Sequence, residues 1–356
     1  VETGEDHETS MKTYFSTFVT GTQEIIKRFL VRRGVKIKLL LDGLVVYDSN
    51  YPEREIRNFP VFNNTYLLIR SFGGLEPNAK SLEKMLTLVA GDKDLFRRIA
   101  ANIPERRRKF KIVSSLENRM IPVDRDLLKK IESIILKVED VKLDIKKPNL
   151  EFWALLRREG HGFFGIRMTY PFGNDNVREK GELRKEISYI MIFVSGPNPK
   201  DVVLDPFSGY GSIPIERAKN FPYKEIIAME KDPQLFSKLN GKIRSSKAKI
   251  KVICGDALAM DQIRSGSIDK IISDPPWGEY EKLPNLESFY GRMLEEFKRV
   301  LKASGTVTLL IGAKETFEKV LKTGFTNVFV LEEKYEILVS GKKAAIYRLS
   351  TKDEVR

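Results

Sequence analysis

Beyond residue 181 short apolar runs alternate with stretches whose apolar positions recur every three or four residues. This rhythm predicts a helix over 182–194, a strand over 201–205, a helix over 212–220, a strand over 225–230, a helix over 233–244 and a strand over 249–254. It continues with a strand at 268–273, a helix at 287–302, a strand at 305–311 and a helix at 314–323, and strand-like segments at 326–334 and 342–349 close the chain. Strands that are apolar throughout and separated by amphipathic helices predict a parallel sheet covered on both faces.

Before residue 181 the pattern is mixed. Residues 13–19 read as a strand, 22–33 as a helix with Ile25, Ile26, Phe29 and Leu30 on one face, and 36–47 as a hairpin about Asp42-Gly43. A strand at 65–72 ends this small α+β unit near Gly73-Gly74. A helix at 80–103, a strand at 110–114, a helix at 124–137 and paired strands at 150–156 and 162–168 follow. The expected division is 11–75, 76–170, a polar linker at 171–180, and 181–356, with residues 1–10 read as a loose tail.

Composition narrows the class. The chain has 356 residues, 42% of them hydrophobic and 31% charged, as in a well-cored globular protein. No apolar run approaches the ~20 residues that span a bilayer. With one cysteine, Cys254, and two histidines, neither an internal disulfide nor a usual structural zinc site is available. These features predict a reducing, cytoplasmic setting, no membrane partner and no metal; they do not give the oligomeric state, for which a monomer is favoured. The net charge of +13 is uneven: residues 11–180 hold 33 Lys/Arg against 21 Asp/Glu, whereas residues 181–356 hold 29 against 24. The basic N-terminal half favours a large polyanion as partner.

The turn after the first strand of the alternating half reads Asp205-Pro206-Phe207-Ser208-Gly209-Tyr210-Gly211-Ser212. Its two glycines let a ligand approach the backbone, and the helix that starts near Ser212 presents unpaired amides there. Glu230 ends the second strand, followed by Lys231, and can accept hydrogen bonds from two ribose hydroxyls. Asp256-Ala257 follows the third strand, where the aspartate can take an adenine amine. A dinucleotide is the competing ligand, but Phe207-Ser208 replaces its first glycine and Pro214 disturbs the expected helix packing.

The decisive stretch is Asp274-Pro275-Pro276-Trp277, closing the apolar run at 268–272. Asp274 and the Pro275 carbonyl can each accept a hydrogen from the amine of a flat heterocycle and aim its lone pair. The two prolines fix the backbone. Trp277 offers a ring on which an unstacked base can lie. Hydride transfer has no need of such a loop. Elsewhere, Arg106, Arg107, Arg108 and Lys109 read as phosphate contacts, with Arg119 and Arg167 as further candidates, while Trp153 and Phe163 read as core.

These motifs resemble the class I S-adenosylmethionine-dependent amino methyltransferases, which order an Asp-Pro-Phe-x-Gly-x-Gly turn, an acidic strand end and an Asn/Asp-Pro-Pro-aromatic loop. Pro148-Asn149-Leu150-Glu151-Phe152-Trp153, Arg157-x-Glu159-Gly160, Phe163-Phe164-Gly165-Ile166-Arg167 and Lys180-Gly181-Glu182-Leu183-Arg184 are similar to the THUMP-containing RNA methyltransferases. The stretch from Tyr14-Phe15 through Ile25-Ile26 resembles the start of their N-terminal region. The resemblance covers nearly all of residues 11–350. It implies an α/β fold: a Rossmann-like class I methyltransferase domain preceded by α+β ferredoxin-like and THUMP domains. It also implies S-adenosyl-L-methionine as cofactor and N2-methylation of a guanosine in the acceptor stem of tRNA. Several members carry Asn in place of Asp274 and Tyr or Phe in place of Trp277, and Asp with an aromatic is common in adenine-N6 and cytosine-N4 DNA enzymes. A DNA or ribosomal RNA amino methyltransferase, and a non-catalytic RNA-binding scaffold, therefore remain as alternatives.

Overall fold

The computed structural model describes residues 11–104, 108–169, 179, 181–278 and 285–352. In the first part of the chain lie β1 (Lys12–Thr17), α1 (Gln23–Val31), β2 (Lys36–Leu41), β3 (Leu44–Ser49), α2 (Glu53–Arg57), β4 (Asn64–Phe72), α3 (Ala79–Ala90) and α4 (Leu95–Ala100). After them come β5 (Lys109–Leu116), β6 (Arg119–Met120), α5 (Arg125–Ile135), β7 (Lys142–Leu143), β8 (Leu150–Leu156) and β9 (Gly162–Arg167). The second part holds α6 (Lys185–Val194), β10 (Val202–Asp205), α7 (Ser212–Asn220), β11 (Glu225–Glu230), α8 (Pro233–Ser246), β12 (Lys251–Cys254) and β13 (Ile268–Ser273). It ends with α9 (Leu286–Val300), β14 (Leu301–Ile311), α10 (Lys314–Gly324), β15 (Phe329–Val339) and β16 (Lys342–Thr351).

The chain divides into two compact units, Val1–Thr17 with Phe29–Gly173 and Phe18–Arg28 with Asn174–Arg356. The first unit contains one continuous sheet in the order β2-β3-β1-β4-β9-β8-β5-β6, with β7 beside β5. The expected division at residue 75 does not interrupt it. β4 runs antiparallel to β9, from Tyr66 opposite Arg167 to Phe72 opposite Gly162, so segments from both sides of that boundary share one ladder. The helix expected over 80–103 is two helices. Gly91 caps α3, and the Asp92 carboxylate accepts from Asp94 N–H at 3.0 Å, holding the turn between them. The linker expected at 171–180 lies outside the described residues except for Glu179.

The second unit is a seven-stranded sheet ordered β12-β11-β10-β13-β14-β16-β15. Strands β12 to β14 are parallel, while β16 runs antiparallel to both β14 and β15. β10 is buried over its whole length, as a strand covered on both faces must be. Each fully buried aliphatic side chain, such as Leu204, stabilises by about 1.5–3 kcal/mol. The strand order reverses at β10, with β11 on one side and β13 on the other. In open sheets of this kind the crevice beyond the carboxyl ends at such a reversal is the natural ligand site.

Candidate active site

The turn after β10 is built from its own hydrogen bonds. Ser208 Oγ donates to the Asp205 carbonyl at 2.8 Å, Ser208 N–H to Met229 O at 2.9 Å, and Gly211 N–H to Ser208 O at 2.7 Å. Gly211 has a φ of 83°, and a Cβ there would stand 2.6 Å from Leu239 Cδ1. Conformation and space together call for glycine at this residue, which opens α7.

Glu230, at the end of β11, ties this turn to the next helix. Its Oε2 accepts from Gly209 N–H at 3.0 Å and its Oε1 from Asp232 N–H at 2.9 Å. Asp232 in turn caps α8, accepting from Gln234 and Leu235 N–H at 2.9 and 2.8 Å, with Pro233 in the first turn. One buried carboxylate thus fixes two loops that lie beside one cavity.

That cavity has a volume of about 820 Å³. Of the residues expected to hold a cofactor, Pro206, Phe207, Gly209, Glu230, Lys231 and Ala257 line it. Asp205, Ser208, Gly211 and Ser212 are not among its lining residues, and the first three hydrogen-bond within the turn. Asp205 is buried and accepts from Ser273 Oγ at 2.5 Å and from Phe207 N–H at 3.3 Å. Asp256 is exposed and accepts from Leu258 N–H at 2.9 Å; its neighbours Gly255 and Ala257, not Asp256, line the cavity. One carboxylate oxygen thus caps its own turn.

Asp274, Pro275, Pro276 and Trp277 all line the same cavity. Trp277 Nε1–H donates to Asp274 Oδ1 at 3.0 Å and to the Leu310 carbonyl at 3.2 Å. Its ring abuts Gly312, where a Cβ would stand 2.3 Å from Trp277 Cε3. Tyr290 Oη–H donates to Pro276 O at 3.4 Å. Burial pushes the Asp274 carboxyl up to about 7, against the Trp277 hydrogen bond and with the nearby Asp205 charge adding to the rise. Burial also lifts Asp205 to about 7, opposed by bonds from Ser273, Phe207 N–H and Ser208 and reinforced by Glu230. The strongest charge acting on each of these two carboxylates is therefore another carboxylate.

Two further walls went unnoticed in the sequence as site residues. Glu182, Leu183 and Arg184 line the cavity just before α6, where Glu182 Oε1 accepts from Lys242 Nζ at 2.7 Å. The run 180–184 carried the family resemblance but no assigned role. Val339, Ser340 and Lys342, at the tip of the β15–β16 hairpin, line it as well. No local signal marks them, because only the pairing of β16 with β14 brings that tip to the crevice.

The expected phosphate contacts are dispersed. Arg106 and Arg107 lie outside the described residues. Arg108 donates to Glu139 O at 3.4 Å, and Lys109 is exposed with Nζ 3.8 Å from Asp144. Arg119 is exposed on β6, paired with Leu116 at the other end of β5, about 23 Å from Lys109 along the strand at 3.3 Å per residue. Arg167 is committed to the protein, donating to Glu151 at 2.9 Å and Asn64 at 2.6 Å. No cluster of three His, Cys, Asp or Glu able to hold a metal occurs among the described residues. No described helix is long and apolar enough to cross a membrane.

Residues 175–334 match the UPF0020 family model, described as an RMKL-like methyltransferase domain. The chain is 30% identical over 186 residues to the U6 snRNA (guanine-N(2))-methyltransferase THUMPD2 of Bos taurus, covering 51% of this chain and 36% of that protein. It is 30% identical over 182 residues to the tRNA (guanine(6)-N(2))-methyltransferase THUMP3 of Bos taurus, covering 47% and 36%. The match thus spans about a third of the length of these curated relatives. Among solved structures, TrmN from Thermus thermophilus superposes with a TM-score of 0.75 at 18% identity, over 96% of this chain and 99% of that one. The second unit has the parallel, helix-covered strands that the alternating pattern predicts and the Rossmann-like fold that the resemblance implies.

Proposed function

We propose that this chain transfers a methyl group from S-adenosyl-L-methionine to the N2 amine of a guanosine in tRNA. The observation that carries the reading is the convergence of the glycine turn, Glu230 and the Asp274–Trp277 loop on one cavity at the strand-order reversal. The matched methyltransferase-domain model and relatives named for guanine-N2 chemistry support it.

The residues present suit the cofactor. About 820 Å³ accommodates a nucleoside-sized ligand, and Glu230 and Asp274 both line that cavity. Pro206, Phe207, Gly209, Glu230, Lys231 and Ala257 would hold it. When bound, it supplies an electrophilic methyl on a sulfonium.

Asp274 and the Pro275 carbonyl hold the base amine by its hydrogens and turn its lone pair from the ring toward the methyl carbon. Positioning of this kind supplies most of the rate. On accepting a methyl group the amine would lose one proton. The proton passes to Asp274 or to water. Trp277 closes the base side of the cavity. Residues 11–170, read as ferredoxin-like and THUMP regions, hold the RNA through their positive charge.

The reading is tested by incubating tRNA with the protein and labelled cofactor, then digesting to nucleosides for mass spectrometry. N2-methylguanosine is the expected product. N6-methyladenosine or N4-methylcytidine would move the enzyme to another class of amine, and no product with any RNA or DNA would support the scaffold reading.

A further inference from the structure

Trp277 has a use for its N–H that stacking does not explain. The indole nitrogen reaches back three residues to Asp274 Oδ1 at 3.0 Å, and its hydrogen is shared with Leu310 O at 3.2 Å on β14. Gly312, two residues beyond Leu310, leaves the space in which the ring sits; a Cβ would fall 2.3, 2.5 and 3.0 Å from Cε3, Cδ2 and Cγ of that ring. The side chain is thus held from below by one strand and points its single donor at the carboxylate assigned to the amine. Phenylalanine has no donor, and the phenol of tyrosine carries its hydroxyl at the far end of the ring, away from this oxygen.

We propose that Trp277 is a positioning residue, whose indole N–H fixes the orientation of the Asp274 carboxylate toward the reacting amine, and that Gly312 is the residue whose missing side chain permits it. This rests on the methyl-transfer reading above. It adds that one carboxylate oxygen is claimed by the tryptophan, leaving Oδ2 to meet the substrate. The titratable groups around Asp274 are Asp205 at the end of β10 and Tyr290 on α9.

Nuclear magnetic resonance tests the contact without needing activity. The chain has two tryptophans, so a nitrogen-15 spectrum of the full-length protein shows two indole N–H signals, and Trp153→Phe assigns them. The Trp277 signal should move with a midpoint near 7, following Asp274. Asp274→Asn should abolish that movement. The Trp153 indole, which donates to Glu151 at 2.9 Å, serves as control. Burial works to raise Glu151, but hydrogen bonds from Arg167, Trp153 and Lys111 outweigh it and hold the carboxyl below its ordinary range. A Trp277 signal that stays flat between pH 5 and 9, or titrates with undiminished amplitude in the Asp274→Asn variant although only Asp205 is left to titrate nearby, overturns the proposal.

Kinetics supply the second arm. Trp277→Phe keeps a ring and loses the donor. It should lower kcat about tenfold or more with little change in KM for RNA, and move the acid limb of the kcat profile to higher pH. Gly312→Ala keeps the donor but displaces the ring, and should move the limb the same way. Unchanged kcat and profile with a raised KM would mean that the ring only stacks. Calorimetry of cofactor binding shows whether each variant is folded. If the wild type methylates no nucleic acid, the functional reading fails while the spectral arm still decides whether the contact exists.

Discussion

Replacing Glu230 by glutamine separates ligand binding from loop scaffolding. Both carboxylate oxygens are in use: Oε2 accepts from Gly209 N–H at 3.0 Å and Oε1 from Asp232 N–H at 2.9 Å. Glutamine keeps one acceptor and turns the other into an NH2 donor, so one backbone N–H would face a second donor. Hydrogen bonds to a charged acceptor contribute about 1.5–3 kcal/mol each, and the residue is only 9% exposed, so solvent screens little of this. Either the turn at Gly209 or the start of α8 then loses its anchor, and a ligand must order it on binding. A loss of about 1.5–3 kcal/mol corresponds to a dissociation constant weaker by about 10- to 150-fold. Isothermal calorimetry with S-adenosylmethionine measures it, with thermal denaturation of the ligand-free protein alongside. Unchanged affinity with a lowered Tm would reduce Glu230 to a scaffold, and neither effect would refute the reasoning altogether.

An ionised Asp274 is the stronger acceptor for the amine and can take its proton, and its carboxyl stands at about 7, so kcat/KM should fall as pH drops below about 7; a profile flat to pH 5 would contradict this. Because this folded value lies above the unfolded one of about 3.9, protonation of Asp274 favours the folded state. That contribution is fully present below about pH 4 and is lost as pH rises through 7. Asp274→Asn should therefore exceed the wild type in Tm at pH 8, with the advantage shrinking toward pH 5. Arg217 is fully buried, 3.3 Å from Asp201 and bonded to the carbonyls of Phe221, Pro222 and Asn198. Arg217→Met should cost about 3–5 kcal/mol in urea unfolding while leaving cofactor affinity unchanged, since Asp201 precedes the amino end of β10. Neutralising Arg106, Arg107 and Arg108 together should weaken tRNA binding and flatten its salt dependence by about 0.7–0.9 per lost phosphate contact, without changing the methylated base; equal slopes would place the electrostatic contact elsewhere.

What the sequence determined by itself was local. The wholly apolar run 202–204 and its neighbours announced buried parallel strands, because such strands meet helices on both faces and have no polar side to show. The glycine turn, Glu230 and Asp274–Trp277 were legible because each follows directly on a strand, and parallel strands deliver their carboxyl ends to one edge. Pairings across long chain separations were not legible. A period of two fits a strand for any neighbour, so nothing in residues 342–351 says that β16 lies between β14 and β15, or that Ser340 and Lys342 reach the cavity. The same ambiguity hid the joining of β4 to β9, which merges two expected regions into one sheet. Side-chain partners were decided last of all. Arg167 looked free for phosphate until Glu151 and Asn64 claimed it, and Trp277 looked like a plain stacking ring until Leu310 and Gly312 set its N–H against Asp274. Burial, which lifts Asp205 and Asp274 together, depends on everything packed around them, and that exists only once the sheet has closed.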